Sequence, residues 1–142
     1  MDREELRVSR LSFRQIAVIV GCALVGWALC FATIGIGMAT TSLPTALIIH
    51  AVAAPLFFFG LSWLYFSRFG YTTPLFTAAA FLVVVMFMDF FFVALVILRS
   101  FVMFTSFLGT WLPFMLIFAS TLVTGLLVHS RRAPRARGAY KL

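Results

Sequence analysis

The feature that most constrains the fold is the absence of charged residues from two long segments. No Asp, Glu, Lys or Arg lies between Arg14 and Arg68, and none lies between Arg99 and Arg131. A soluble domain of 142 residues keeps much of its surface in water and cannot hide uncharged segments of this length. Charged residues make up 11% of the chain, whereas ordinary soluble domains contain about 25%. The sequence therefore predicts an integral membrane protein.

Turn-forming residues and charges divide the apolar sequence into four segments of membrane-spanning length. A helix needs about 20 apolar residues to cross a hydrocarbon core roughly 30 Å thick. Pro44 and Pro74 stand at the start of the second and third segments, and Arg99 and Ser100 mark a short connection to the fourth. We therefore predict an all-α bundle of four transmembrane helices in one domain, with short basic tails. The predicted spans are residues 16–38, 44–66, 74–98 and 103–128.

The start of the fourth span has two interpretations, because residues 101–128 would form a helix about 42 Å long and exceed the bilayer core. In the first interpretation, this segment is one tilted helix that bends near Gly109 and Pro113. In the second, residues 101–108 lie at the membrane interface and the span begins near Thr110. Trp111 favours the second, because tryptophan is enriched at the level of the lipid headgroups.

Positive charge is concentrated in the two terminal segments and predicts the orientation of the bundle. Short cytoplasmic segments of membrane proteins collect Lys and Arg. Both termini are therefore predicted to be cytoplasmic, with the "ATTSLP" turn outside and Arg99 as the one outside exception. The terminal cations are Arg3, Arg7, Arg10 and Arg14 before the first span, and Arg131, Arg132, Arg135, Arg137 and Lys141 after the fourth.

Reporter fusions placed along the chain test this orientation. Fusions after Arg14, Arg68 and Arg137 are expected to report a cytoplasmic location, because each follows an even number of crossings. A fusion in the "ATTSLP" turn is expected to report the outside. Activity of an exported reporter at the C-terminus would contradict the four-span arrangement.

The excess of arginine over lysine and the compact architecture resemble small bacterial inner-membrane proteins. This resemblance rests on composition, and it implies a multi-pass location in the cell (inner) membrane. The net charge of +7 does not indicate nucleic-acid binding, because the positive residues flank the membrane without a soluble domain to present them. The expected surroundings are the lipid bilayer, with a second copy in a homo-oligomer or another membrane protein as partner.

The remaining residues do not indicate a known cofactor. Cys22 and Cys30 lie about 12 Å apart along one predicted helix, which is too far for a disulfide between them. The chain has no zinc-type ligand spacing, no phosphate-binding glycine loop and no dinucleotide fingerprint. Haem-binding bundles usually have pairs of ligands, whereas this chain has one intramembrane histidine, His50, with His129 at the opposite face. The sequence thus predicts no cofactor and does not favour an enzyme.

Asp89 is the only acidic residue within the four predicted spans. It is predicted roughly 13 Å below the outer boundary, where an ionisable side chain costs at least about 2.5 kcal/mol and usually faces the bundle interior. His50 is predicted roughly 9 Å below the same boundary and is the best candidate partner for Asp89. A carboxyl–imidazole pair is suited to exchanging protons near neutral pH. Four further polar residues at similar depth complete the candidate ion or substrate site: Cys30, Thr33, Ser106 and Thr110.

Two prolines are predicted to bend helices close to this polar layer. A proline inside a helix removes the hydrogen bond to the carbonyl four residues earlier. Pro55 would therefore free the carbonyl of Ala51, and Pro113 would free that of Gly109. An unpaired carbonyl needs a partner where there is no water. Both acceptors are expected in or near the layer that holds Asp89.

Two functional classes are preferred over a redox or lipid-modifying enzyme. The first is a proton- or cation-linked transporter or channel-like protein that uses Asp89 and His50. The alternative is a non-catalytic accessory or assembly subunit, whose aromatic third span packs against another membrane protein. In either case, the stripe of small residues from Gly26 to Gly37 is typical of a helix-packing face.

Overall fold

Four long helices form the architecture of the protein. The computed structural model describes the backbone of residues 11–138 and the side chains of residues 11–132. The helices are α1 (Phe13–Thr40), α2 (Leu43–Arg68), α3 (Pro74–Met88, continued by a π-helix over Asp89–Leu98) and α4 (Leu112–Gly138). The described residues contain no strand, and four helical stretches are long and apolar enough to cross a membrane. The predicted all-α fold with four membrane-spanning helices is confirmed.

Successive helices run in opposite directions, so the start of α1, the α2–α3 turn and the end of α4 lie at one end of the bundle. We call this the inner end, and the end with the α1–α2 turn the outer end. Arg132 of α4 donates to the carbonyls of Phe66 and Ser67 at the end of α2, which ties these elements together. The predicted charge clusters at Arg3, Arg7 and Arg10 and at Arg135, Arg137 and Lys141 lie outside the described side chains.

Local hydrogen bonds and prolines set the helix boundaries. Ser12 and Gln15 form a capping box at the start of α1, in which each side chain accepts from the backbone N–H of the other residue. Pro44 and Pro74 occupy the first turns of α2 and α3, where a backbone N–H has no helical partner. The π-helix ends at Arg99, whose φ of 49° lies in the left-handed region that commonly terminates helices.

The residues that precede α4 form separate short turns. Val102–Thr105 is a 3₁₀ turn, and a π-turn at Phe107–Trp111 leads into α4. The membrane-length helical stretch begins at Phe107, between the two starting points that the sequence allowed. Pro113 is the second residue of α4, and the π-turn before it bonds the Leu112 N–H to the carbonyl five residues earlier. Pro113 itself has no N–H to donate to the carbonyls of this turn.

Each helix packs against two neighbours, and the order around the bundle is α1, α2, α4, α3. Small residues of α1 allow close approach to α2. A Cβ atom added at Gly26 would lie 2.5 Å from the Phe58 ring, and one added at Gly37 would lie 2.9 Å from the Ala46 Cβ. The stripe from Gly26 to Gly37 is therefore a packing face, as small residues commonly are in membrane bundles.

Aromatic rings fill the space between α2 and α3, which lie diagonally across the bundle. The ring centroids of Phe58 and Phe81 are 5.9 Å apart, and those of Tyr65 and Phe81 are 6.1 Å apart. All three side chains are buried. Edge-to-face pairs of this kind contribute about 0.5–1.5 kcal/mol beyond area burial. The inner half of the bundle axis is therefore occupied by side chains.

A buried network of hydroxyl groups fixes the turn between α2 and α3. The Tyr65 and Thr72 hydroxyl oxygens are 2.8 Å apart, and those of Thr72 and Thr77 are 2.7 Å apart. The Thr77 hydroxyl also lies 3.0 Å from the Thr73 carbonyl, its backbone acceptor. Gly70 supplies the positive φ of 55° that the turn requires. These bonds connect the two helices at the inner end without a charged residue.

Candidate functional site

Asp89 receives its hydrogen bond from Trp27. The Trp27 indole Nε1–H donates to Asp89 Oδ1 at 2.8 Å, which joins α1 to the start of the π-helix. Trp27 lies at the middle of α1 and is held between two rings, Phe31 and Phe92, each with its centroid 5.5 Å from the indole. The carboxyl group is thus placed at mid-span by a rigid donor on a neighbouring helix.

Trp27 is a site residue that was not predicted, although the sequence contains a signal for it. Tryptophans of membrane proteins concentrate at the two interfaces, whereas Trp27 lies far from both ends of α1. An indole N–H at mid-span needs an acceptor, because no water is available there. Asp89 is the only intramembrane carboxylate. A hydrogen bond between Trp27 and Asp89 could therefore have been predicted from the sequence.

The backbone changes its hydrogen-bond pattern at Asp89. The α-helix ends at Met88, and the π-helix covers Asp89–Leu98. The Asp89 N–H contacts two carbonyls, those of Val85 and Met86, rather than one. Short π-helical segments in membrane and soluble proteins often coincide with functional sites. The carboxyl group therefore lies where the third span departs from regular geometry.

The Asp89 carboxyl group has acceptor positions that no donor of the described residues uses. Trp27 is the only donor that the described residues provide to this side chain. A carboxylate has two oxygens with about four lone-pair positions. Asp89 is partly buried, and no other described residue donates to the remaining positions. A proton or a small cation can occupy them.

His50 is buried but does not bond to Asp89. Its side chain is 9% exposed, and its Nδ1 atom has no hydrogen-bond partner among the described residues. The direct partner of Asp89 is therefore Trp27, and the expectation that His50 would fill this role is wrong. A buried ring nitrogen without a partner costs about 1–3 kcal/mol. His50 thus stays a separate candidate for binding a ligand in the outer half of the bundle.

The other predicted site residues divide into two groups. Cys30 is buried on α1, three residues after Trp27. Thr33 donates to the Leu29 carbonyl and Thr110 to the Met103 carbonyl, while the Ser106 hydroxyl accepts from the Gly109 N–H. These three hydroxyls therefore serve the backbone of their own segments. Among the described residues, no group of three His, Cys, Asp or Glu side chains is arranged to hold a metal ion.

A bond between α2 and α4 is formed at Pro55. The Ser120 hydroxyl donates to the carbonyl of Pro55 at 2.8 Å, rather than to the carbonyl of Ala51 that the proline was expected to free. Ser62 and Thr121, on the same two helices, have buried hydroxyls without a partner among the described residues. The Ser120–Pro55 bond therefore joins a different pair of helices from the Trp27–Asp89 bond, which connects α1 to the third span.

Comparison with protein-family models, curated proteins and solved structures finds no match for this chain. The geometry of the Trp27–Asp89 pair is therefore the main indication of function.

Proposed function

We propose that this protein binds a proton or a small monovalent cation at Asp89 and carries it across the membrane. The supporting observation is that a carboxyl group at mid-span is held by a single uncharged donor, the Trp27 indole. An indole N–H is a donor without charge, so it does not neutralise an ionised carboxylate. Arg99 is ten residues farther along the same span, at the C-terminal end of the π-helix. The charge of Asp89 must therefore be balanced by a proton or a bound cation.

The free energy of burying this carboxyl group depends on whether it is neutral or cation-bound on the one hand, or a bare carboxylate on the other. The neutral or cation-bound state is compatible with the apolar surroundings, whereas the bare carboxylate is expensive to bury. Loss of the proton or cation therefore favours a conformation in which Asp89 contacts water. Intramembrane acidic residues of carriers and proton relays work on this principle. The irregular π-helix that begins at Asp89 is the element that would change.

The packing supports a carrier with gated access rather than an open channel. Phe58, Tyr65 and Phe81 fill the inner half of the bundle axis. An ion that reaches Asp89 from the outer end would therefore meet aromatic side chains before the inner end. Passage requires a rearrangement of these helices, as in alternating access.

Ion flux into liposomes tests the proposal. The purified full-length protein is reconstituted into liposomes that contain a dye sensitive to pH, Na⁺ or K⁺, and a gradient of the matching ion is applied in each case. The wild-type protein is expected to dissipate at least one gradient, while Asp89→Asn is expected to reduce the flux to that of empty liposomes, because the amide cannot exchange a proton or balance a cation. Asp89→Glu is the matched control and is expected to retain measurable flux.

Two outcomes contradict the proposal. One is a wild-type flux equal to that of empty liposomes for all three ions. The other is an Asp89→Asn variant that transports as fast as the wild-type protein.

An accessory or assembly subunit is the second candidate, and it is favoured by an exposed aromatic surface. Phe87, Phe90, Phe91 and Phe101 each expose more than 40% of their area, and their rings are in sequential contact. Aromatic side chains supply much of the contact energy in protein interfaces. Cross-linking in native membranes followed by purification would show a stoichiometric second protein, or a second copy of this chain, if this surface is an interface.

A further inference from the structure

A cleft at the inner end of the bundle combines positive charge with an aromatic wall. It has a volume of about 350 Å³ and lies between the ends of α2 and α4. The lining residues are Trp63, Ser67, Val128, Arg131 and Arg132. This volume is in the range of sites that hold a small ligand or a headgroup. The cleft is distant from Asp89, which lies at mid-span.

The two arginines of the cleft have different contacts. Arg132 donates from Nη2 to the carbonyls of Phe66 and Ser67, at 2.8 and 3.0 Å, and so caps the end of α2. The Arg131 guanidinium carbon lies 5.3 Å from the centre of the Trp63 ring. A cation held over a ring keeps the N–H donors of its edge available for an anion. Arg131 makes no hydrogen bond to the described residues, so these donors are not already used by them.

The charge of the cleft is not balanced by nearby acidic side chains in the described part of the chain. Asp89 is the only acidic residue between residues 11 and 138, and it lies on the third span at mid-membrane depth. The Ser67 hydroxyl adds an exposed donor beside the two arginines. Arginine binds phosphate with paired N–H groups, and a neighbouring hydroxyl adds a third donor. The chemistry of the cleft therefore matches a phosphate group.

The position of the cleft relative to the membrane indicates which phosphate-containing compound it would bind. Trp63 lies in the last two turns of α2, and Arg131 follows the apolar part of α4, so both lie where a span meets the headgroup region. The exposed apolar faces of α2 and α4 continue from the cleft toward mid-membrane, including Leu64 and Leu127. We propose that this cleft binds the phosphate of an anionic phospholipid, whose acyl chains follow these two helices. Basic sites between membrane helices bind such headgroups in this way.

Lipid titration of the purified full-length protein in detergent tests this assignment, with native mass spectrometry to count bound lipids. Phosphatidylglycerol is expected to bind about tenfold more tightly than phosphatidylcholine, because only the former has a net negative headgroup. Arg131→Gln is expected to weaken phosphatidylglycerol binding by about tenfold. Arg14→Gln removes the same charge from an exposed position at the same end and is expected to change binding less than about twofold.

A second variant keeps the test valid if Arg131→Gln does not fold. Ser67→Asp alters an exposed residue and places a carboxylate in the cleft, so it is expected to abolish the preference for phosphatidylglycerol. If Arg131→Gln and Arg14→Gln weakened phosphatidylglycerol binding equally, the proposal would be overturned. Such a result would indicate that the anionic lipid is attracted to the whole basic end of the bundle rather than to the cleft. Complete displacement of phosphatidylglycerol by millimolar inorganic phosphate would show that the cleft binds free phosphate, and it would overturn the assignment to a lipid headgroup. Retained preference in Ser67→Asp would overturn the cleft as the site.

Discussion

Replacing Gly125 by alanine is expected to destabilise the protein by about 3 kcal/mol, which is the upper part of the range for overpacked sites. A Cβ atom at this position would lie 2.6 Å from the Pro74 Cβ and 2.8 Å from the Phe66 ring. Neither neighbour can move easily, because Pro74 is part of the first turn of α3 and Phe66 is 1% exposed. The inner ends of α2, α3 and α4 would therefore have to separate.

Gly60→Ala is the matched control for this prediction. No atom lies within 4 Å of a Cβ added at Gly60, so the substitution meets open space on the exposed face of α2. Alanine is favoured over glycine in a helix interior by roughly 1 kcal/mol, and this variant is expected to be neutral or slightly stabilised. Equilibrium unfolding in mixed detergent micelles measures the free energy of unfolding of each variant. Equal stability of the two variants would show that α3 and α4 do not approach at Gly125.

The number of spans could be predicted because the length of each hydrophobic segment can be counted directly along the sequence. The absence of charge from Arg14 to Arg68 requires buried or lipid-facing helices, and Pro44 and Pro74 mark where new helices start. The order of helices around the bundle depends on contacts between distant residues, such as Gly26 with Phe58. A single sequence does not contain that information, since glycines occur on exposed faces as well.

The start of the fourth helical stretch shows a different limit of sequence interpretation. Composition alone does not separate residues 101–111, which are uncharged throughout, into a turn and a helix. The division is made by the Ser106 hydroxyl, which accepts from the Gly109 N–H and so begins the π-turn. A serine within an apolar segment is as often a packing residue as a cap. The tertiary structure decides between the two.

The sequence predicted the wrong partner for Asp89, while the role of Asp89 as the centre of an ion site stays a prediction. Asp89 could be singled out because a carboxyl group in an apolar span is rare and costly. Depth along a helix brought His50 to a similar level, but depth does not determine which face a side chain occupies. The donor on the correct face is Trp27, which the high aromatic content of the chain made inconspicuous. The hydrogen-bonding requirement of a polar side chain at mid-span therefore predicts its partner better than its depth along the helix does.

The contact between Trp27 and Asp89 is expected to appear as a coupling free energy in a double-mutant cycle. Trp27→Phe removes the indole N–H but keeps a ring between Phe31 and Phe92. Asp89→Leu removes the acceptor, whereas Asp89→Asn would keep an oxygen for the indole and is unsuitable for this cycle. Each single variant leaves a polar group unpaired, at a cost of about 1–3 kcal/mol, and the double variant removes both groups. The coupling combines both costs and is therefore expected at the upper end of the range for residues in contact, about 2–3 kcal/mol.

Asp89→Asn serves instead to separate stability from function. The amide oxygen can still accept from Trp27, and the amide is cheaper to bury than a carboxylate, so the variant is expected to be at least as stable as the wild-type protein. Its ion flux is expected to be lost, because no ionisable group is left at mid-span. A variant that loses flux and also fails to insert or fold would contradict the interpretation of Asp89 as a functional rather than a structural residue.

A second cycle between Asp89→Leu and His50→Gln completes the test, because it asks whether the two ionisable residues act together without direct contact. The described residues show no hydrogen bond between them, so additive effects on stability are expected, within about 0.5 kcal/mol. A coupling above 1 kcal/mol would mean that His50 reaches Asp89 in another conformation and that the two share a proton. Additive effects in the Trp27 cycle as well would mean that the indole does not hold the carboxyl group, and the proposed ion site would then lose its structural basis.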